Sequence, residues 1–458
     1  MVKKTLIIFQ SIILACASSA MGQADSVQTQ LSLNSAMEYA VKNNLTVKNS
    51  ELDLQIAQKK IWETTAIGLP QATGTVNYQH QFSVPEMSFG RGFDKSALAG
   101  GTITSDNFDK VFPQTPPMPL GVKDNTNWDI TVSQLIFSGE YIVGLRAAQV
   151  YKEVSERNLQ KSTNDMRESV AQSYYLALVL EENVKILKET QAITAQNLSD
   201  IAALGKEGLV DEINVDQVRI IKANIDNSVS NLERQASLAK NLLKYQIGLD
   251  LATPVTLTEN LNSLIESTQF SQYLDASFVV NNSIDFKVVE TAEKLQKLNV
   301  DRYKTKFLPT ISGFYRHKEQ LKTAAFNFEP KDVAGITLTL PIFTSGSRLS
   351  QLSQARKEYE KTQNNKLNAE RGLVIQFEKS KNTFNSSYSS YLTQKENLSL
   401  SKKIFDQTMI KYREGVASST DLHQAETQLL DTQSKYFTAL SDLLNAKASL
   451  DKLTSVQN

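Results

Sequence analysis

The sequence predicts a mainly α-helical fold with a smaller β portion, built as a tandem repeat of long coiled-coil helical hairpins. Three observations predict it. The first is a heptad: Phe377, Phe384, Tyr391, Leu398, Phe405 and Tyr412 are spaced by seven, as are Leu422, Leu429, Tyr436, Leu443 and Leu450. Ala425, Ala439, Ala446 and Leu453 form the other seam of the same repeat. A sustained apolar heptad is the signature of a left-handed coiled coil. The second is duplication: Glu207-Gly208-Leu209-Val210 corresponds to Glu414-Gly415-Val416-Ala417, 207 positions later. That offset carries the heptad back onto Val170, Ala177, Val184 and Leu198, then Val215, Val229, Ala236 and Leu243, with Val218, Ile225, Leu232 and Ala239 between. Gln191 and Lys222 interrupt the register. The third is a set of short segments with period-two alternation, which read as strands. Internal repetition outranks local signals in choosing a fold.

Lys+Arg and Asp+Glu are balanced at 49 each, so charge gives no reason to expect a nucleic-acid partner. Mean hydropathy is −0.30, and beyond the N-terminus no apolar run approaches the roughly 20 residues of a membrane helix. Residues 1–22 read as a secretion signal: Lys3 and Lys4, a short apolar core, and the small-x-small site Ala20-Met21-Gly22. Cleavage there makes Gln23 the mature start. The alternative is a lipobox, Ile13-Leu14-Ala15-Cys16, with Cys16 lipidated. Cys16 is the only cysteine, so no disulfide is expected in the mature chain.

The first repeat covers residues 31–254. A helix is expected over 34–67, with Ser32 as N-cap, interrupted at Asn43-Asn44 and ended by Gly68-Leu69-Pro70. Strands follow at 73–82 and 128–137, then helices at 140–204 and 211–247. The second repeat covers 273–453, with a helix at 284–306, strands at 310–317 and 333–343, and helices at 345–413 and 419–453. Val76, Tyr78 and Phe82 face one way in the first strand, and Thr75, Asn77, Gln79 and Gln81 the other. Ile336, Leu338 and Leu340 oppose Gly335, Thr337 and Thr339 in the last. Such alternation fits a half-buried sheet or a membrane barrel wall. The loop at 85–127 is rich in Pro, Gly and Phe, its counterpart at 319–332 is short, and residues 248–273 read as a linker between repeats.

The doubled order of helix, Leu-Pro, strand, loop, strand, aromatic turn, long helix, glycine tip and return helix resembles the TolC-type outer-membrane efflux proteins. The likeness runs from Leu31 to Leu453. It implies a homotrimer in the cell outer membrane with a large periplasmic portion. Each chain would give four strands to a shared twelve-stranded β-barrel and its long helices to a trimeric α-barrel. It implies a passive exit duct of a tripartite efflux pump, fed by an inner-membrane transporter through a periplasmic adaptor. A type I protein secretion duct is the alternative, and a soluble periplasmic coiled-coil scaffold the alternative of another class. Four strands cannot close around a pore, and an open sheet edge is not tolerated in lipid, so assembly fits the physics.

No catalytic constellation is legible, and His80, His317 and His423 have no metal-ligand spacing. No cofactor is expected. The glycines of the two tips, Gly205, Gly208 and Gly415, suit left-handed helix ends. The resemblance implies that the adaptor docks there. It also implies a closed periplasmic gate. By spacing from Gly415, Tyr412 and Asp421 match the gate's tyrosine and first acid. Gln424 stands where the second acid would be, and Ala417 where an arginine would be. Asn214 replaces a further acid, with Asp216 nearby. The Tyr412 hydroxyl is expected to help tie the mouth shut, while Asp421 also reads as a helix-start carboxylate favoured by the dipole.

The two leader readings separate cleanly. With cleavage before Gln23, N-terminal sequencing of the mature protein reads Gln-Ala-Asp or finds a cyclised Gln, and Cys16→Ser changes nothing. A lipidated Cys16 instead takes up labelled fatty acid, and Cys16→Ser removes the label.

Overall fold

The computed structural model describes residues 29–88, 90–98, 101–322 and 329–454. The signal segment and Cys16 lie outside them. In chain order the elements are β1 (Thr29–Leu31), α1 (Leu33–Asn43), α2 (Leu45–Ala66), β2 (Gln71–His80), β3 (Glu86–Met87), α3 (Phe108–Val111), β4 (Met118–Pro119) and β5 (Asp124–Ser138). There follow α4 (Gly139–Lys206), α5 (Glu212–Ile247), β6 (Val255–Leu257), α6 (Leu261–Ser267), α7 (Ser271–Leu274), α8 (Ile284–Thr305), β7 (Thr310–Gln320), β8 (Asp332–Thr339), α9 (Ser347–Arg413) and α10 (Ser419–Thr454). No described helix is long and apolar enough to cross a membrane.

The interruption expected at Asn43-Asn44 divides the first helix into α1 and α2, with Asn44 extended (φ −62°, ψ 129°). Its side chain accepts from the Thr46 N–H at 2.8 Å and donates to the Gln246 carbonyl at 2.7 Å. Other bounds depart from the sequence expectation: the strands expected at 73–82, 128–137 and 310–317 are Gln71–His80, Asp124–Ser138 and Thr310–Gln320. The last strand ends at Thr339, not at 343; Pro341 has no N–H to give a ladder. The presumed linker is partly ordered: β6 pairs in parallel with β1, from Thr29 opposite Val255 to Leu31 opposite Leu257. The 85–127 loop likewise holds the β3–β4 ribbon and α3, with Arg91 paired to Asp109 and lying 5.0 Å from the Phe108 ring centroid.

The chain folds as two compact units, and each draws on both repeats. One comprises residues up to 52, 157–287 and 368 onward. Its core joins Tyr174, Leu243 and Ile247 of the first repeat to Phe384, Leu440, Leu443, Leu444 and Leu450 of the second. The heptad residues are the buried ones: Val170, Ala177, Val218, Ile225, Phe377, Leu422 and Leu429 are all nearly inaccessible. Smaller apolar clusters continue the seam within each hairpin, Ile225 with Leu187 and Val229, and Leu422 with Phe405 and Leu429. The two register breaks meet at one carboxylate. Asp226 accepts from Lys222 at 2.6 Å and from Gln191 at 2.7 Å. Those bonds, Lys222 first, hold its carboxyl below the usual carboxylate range. A close approach fixes the other end of this unit. Gly248 caps α5 at φ 74°, and a Cβ there would lie 2.7 Å from the Asn43 carbonyl oxygen.

The second unit, residues 53–156 and 288–367, contains an antiparallel sheet in the order β2-β5-β7-β8. Registers such as Val76 opposite Trp128, Val132 opposite Tyr315 and Gly313 opposite Ile336 put these residues on one face. Val76, Ile130, Val132, Ile336 and Leu338 on that face are all exposed. Thr75, Asn77, Asn127, Asp129, Thr131, Ser312 and Thr337 line the other. A bulge between Leu135 and Phe137 shifts the register near the end of β5. Each hairpin closes at its far end on the same trio. Tyr78 and His80 both reach Asp124, at 3.0 and 2.8 Å, and Tyr315 and His317 both reach Asp332, at 2.6 and 2.7 Å.

Leu443 is fully buried, whereas Lys435 is exposed and paired with Asp431. Leu443→Asp therefore costs about 3–5 kcal/mol as an uncompensated buried charge, while Lys435→Asp stays within about 0.5 kcal/mol. Thermal unfolding of the two variants side by side checks the register; equal tolerance would refute it.

Candidate gate and hairpin tips

Both hairpins turn in the same way. In the first, the Gly208 N–H bonds to the Gly205 carbonyl at 3.1 Å and the Leu209 N–H to the Leu204 carbonyl at 3.0 Å. In the second, Gly415 bonds to Tyr412 at 3.1 Å and Val416 to Lys411 at 2.8 Å. Gly208 (φ 76°) and Gly415 (φ 71°) occupy the left-handed region, which L side chains enter only at a cost. Gly205 does not share this role. It lies in the last turn of α4, where a Cβ would meet the Val215 methyl at 3.0 Å, so its small size serves packing instead. In such caps the residue after the glycine usually folds back onto the helix. Here Leu209 is 71% and Val416 74% exposed, at equivalent positions of the duplication.

The gate candidates separate into distinct local arrangements. Asp421 is part of a capping box at the start of α10. Its carboxylate accepts from the Ser418 N–H at 2.9 Å and the Ser418 hydroxyl at 2.7 Å, and its own N–H donates to Ser418 Oγ at 3.1 Å. The Ser418 bonds keep this exposed carboxyl below the usual carboxylate range. Gln424 is exposed one turn on. Asn214 joins the two hairpins, since its Oδ1 accepts from the Ser419 hydroxyl at 3.0 Å. Asp216 is occupied by Arg219 at 2.6 Å.

Tyr412 departs from the expected tie. Its ring packs against both tip clusters, with Leu422 and Leu429 on one side and Ile201, Val215 and Val218 on the other. Its hydroxyl is buried with no hydrogen-bond partner among the described residues. Burial pushes that phenol up from its ordinary value. The side chain thus acts as an apolar wedge between hairpins rather than as a hydrogen-bonded lock.

Sequence reasoning missed Glu426, which is 3% exposed and has one carboxylate oxygen without a partner. It follows Ala425 and reads as the first polar residue off the seam. Its spacing of seven from Ser419 and Gln433, both also buried, is the signal that would have found it. No group of three or more potential metal-ligating side chains occurs among the described residues.

Residues 279–456 match the family model described as outer membrane efflux protein. Over that stretch the chain is similar to the family. Among curated relatives, the cobalt-zinc-cadmium resistance protein CzcC of Cupriavidus metallidurans is 23% identical over 322 residues, 69% of this chain and 73% of the relative. The solved structure of CusC superposes with a TM-score of 0.71 at 16% identity, covering 97% of this chain and 96% of CusC. The Campylobacter jejuni outer membrane channel CmeC gives 0.68 at 16% identity, covering 92% and 85%. At these identities the superpositions establish the fold.

The capping box sets an expectation for the second tip. Asp421→Ala removes the acceptor of two bonds and speeds amide hydrogen exchange at residues 418–421, while exchange around Leu443 is unchanged. Unchanged exchange at the tip would show that the Ser418–Asp421 arrangement contributes nothing to its order.

Proposed function

We propose that this protein is the exit duct of a tripartite efflux pump: a passive homotrimeric channel supplied by an inner-membrane transporter through a periplasmic adaptor. One observation carries the reading. The four-stranded sheet has an exposed apolar face, a polar face, and two edge strands, β2 and β8, each with its outer side unpaired among the described residues. Unpaired backbone in hydrocarbon costs several kcal/mol per group, so such a sheet must close on other copies. Three chains supply twelve strands, with the apolar faces toward lipid and Thr75, Asn77, Thr131 and Thr337 toward water. A soluble scaffold gives no reason for Val76 and Ile336 to be about three-quarters exposed.

The helices support the same assembly. Off the intrachain seam, α5 leaves Ile213, Ile220, Leu238 and Tyr245 exposed, a second stripe for a neighbouring chain. Leu209 and Val416 give each chain two apolar points at the tips, suited to an adaptor. The similarity to a protein named for cobalt-zinc-cadmium resistance supports efflux over protein secretion as the duty. Among the described residues the conspicuous polar groups hold helix ends and strand ends.

At the mouth, three copies of Asp421 would form an acidic ring. Two carboxylates about 10 Å apart in water repel by only roughly 0.4 kcal/mol, so the ring stays ionised and favours cations. Mass measurement in detergent is expected to give three chains per particle, and Asp421→Asn to lower cation preference in planar bilayers with the trimer intact. A conducting monomer would overturn the assembly; unchanged selectivity would reduce Asp421 to a helix cap.

A further inference from the structure

The apolar heptad holds each hairpin together, but a polar one lies between hairpins. On α10, Ser419, Glu426 and Gln433 are spaced by seven and are 7%, 3% and 3% exposed. On α4, Asn183, Thr190 and Asn197 are spaced by seven, with Thr190 and Asn197 buried. The two helices run antiparallel, and Gln433 Nε2 donates to Asn183 Oδ1 at 2.8 Å. One heptad toward the tip brings Glu426 level with Thr190, and two bring Ser419 level with Asn197. Farther back, the Ser449 hydroxyl on Glu168 at 2.7 Å keeps the same register.

Gln433 is satisfied by Asn183 on α4 and Ser419 by Asn214 on α5, at 3.0 Å, but the level of Glu426 between them is not satisfied across the seam. The Thr190 hydroxyl is spent on the Ile186 carbonyl of its own helix, at 3.3 Å. Neither side-chain polar atom of Asn197 has a partner among the described residues, nor does Glu426 Oε1. Glu426 Oε2 has only His423 Nδ1, at 3.7 Å. The charged groups at this level are turned to others or to solvent: Lys188 on α4 pairs with Glu233, Lys222 on α5 with Asp226, and Glu189 on α4 and Lys402, Lys403 and Asp406 on α9 are exposed. Burial, with no compensating cation, pushes the Glu426 carboxyl up to about 7. An ionised carboxylate in that seam would be uncompensated, whereas the acid form is neutral and gains a donor.

We propose that Glu426 is a gating residue: a proton on its carboxyl holds the α9–α10 hairpin against α4 at the tip, and loss of that proton releases the hairpin. The meaning of that release as an opening of the duct rests on the function proposed above. The direction follows from linkage. The packed state binds the proton more tightly than a state in which Glu426 meets water. Packing is therefore favoured at low pH and loses ground as pH rises from the ordinary carboxylate range through about 7. Each pKa unit is a tenfold bias, so the full swing is on the order of a hundredfold.

The experiment is hydrogen exchange on the full trimer from pH 5.5 to 8.5, corrected for intrinsic rates, with conductance recorded in parallel. In the wild type, protection of residues 422–433 is expected to fall by roughly thirtyfold between pH 5.5 and 8.5, the part of the swing that lies in this window. Glu426→Gln, and Glu426→Leu as a second neutral variant, are expected to keep the acid-side protection at every pH. A wild type whose protection ignores pH, or a step that persists in both variants, overturns the proposal. A Glu426-dependent step in protection with no conductance at any pH upholds the latch and instead removes the duct reading.

Discussion

Everything in the helical part depends on a stripe two residues wide in every seven. The 67 residues of α9 bury only Phe377, Phe384, Tyr391, Phe405 and a few neighbours, and their remaining surface is polar or shared. Such a stripe cannot form a core alone, because isolated helices draw most of their stability from packing a face. It must be matched along its length by another stripe with the same period. α10 provides the match for α9, and α5 for α4. Conformation is thereby fixed cooperatively along each hairpin, one heptad locking the next.

A second constraint operates on the sheet, where the backbone rather than the side chains makes the demand. Helices can leave polar side chains facing water, but edge strands in lipid must find partners for their own N–H and C=O groups. The two constraints produce different interfaces. On the proposed membrane reading, the sheet calls for strand pairing that leaves no edge. The hairpins need strong adhesion internally, yet meet each other near the tips through side chains that are only partly satisfied. Buried polar groups without partners weaken the state that contains them, so the hairpins have a natural plane of separation at Glu426 and Asn197.

Much of this was legible in the sequence because its physics is periodic. Heptads mark seams directly, and alternation in β2 and β8 marks two faces. The glycines at 208 and 415 mark turns whose backbone needs them. Legibility failed where a side chain's role depends on a partner distant in sequence. Gln191 and Lys222 look like errors in the repeat, and only their shared contact with Asp226 shows them as a matched pair. The break at Asn43-Asn44 was legible, but the bond from Asn44 to Gln246 that holds it was not. Tyr412 reads as a hydrogen-bonding residue, but its neighbours are apolar. Glu426 was concealed by being charged, since a carboxylate beside a seam is normally solvated.

The interleaving of the two repeats bears on how the chain is made. Tyr174, Leu243 and Ile247 are synthesised well before Phe384, Leu443 and Leu450, which complete their core. Throughout that interval the first repeat carries a half-built apolar surface that it cannot cover by itself. Contacts this remote in sequence are slow to form and leave aggregation-prone surface exposed meanwhile. The nascent chain therefore carries that uncovered surface until the second repeat has been made. Its last helix is also its most consequential: a truncation that removes α10 strips the partner from both repeats at once.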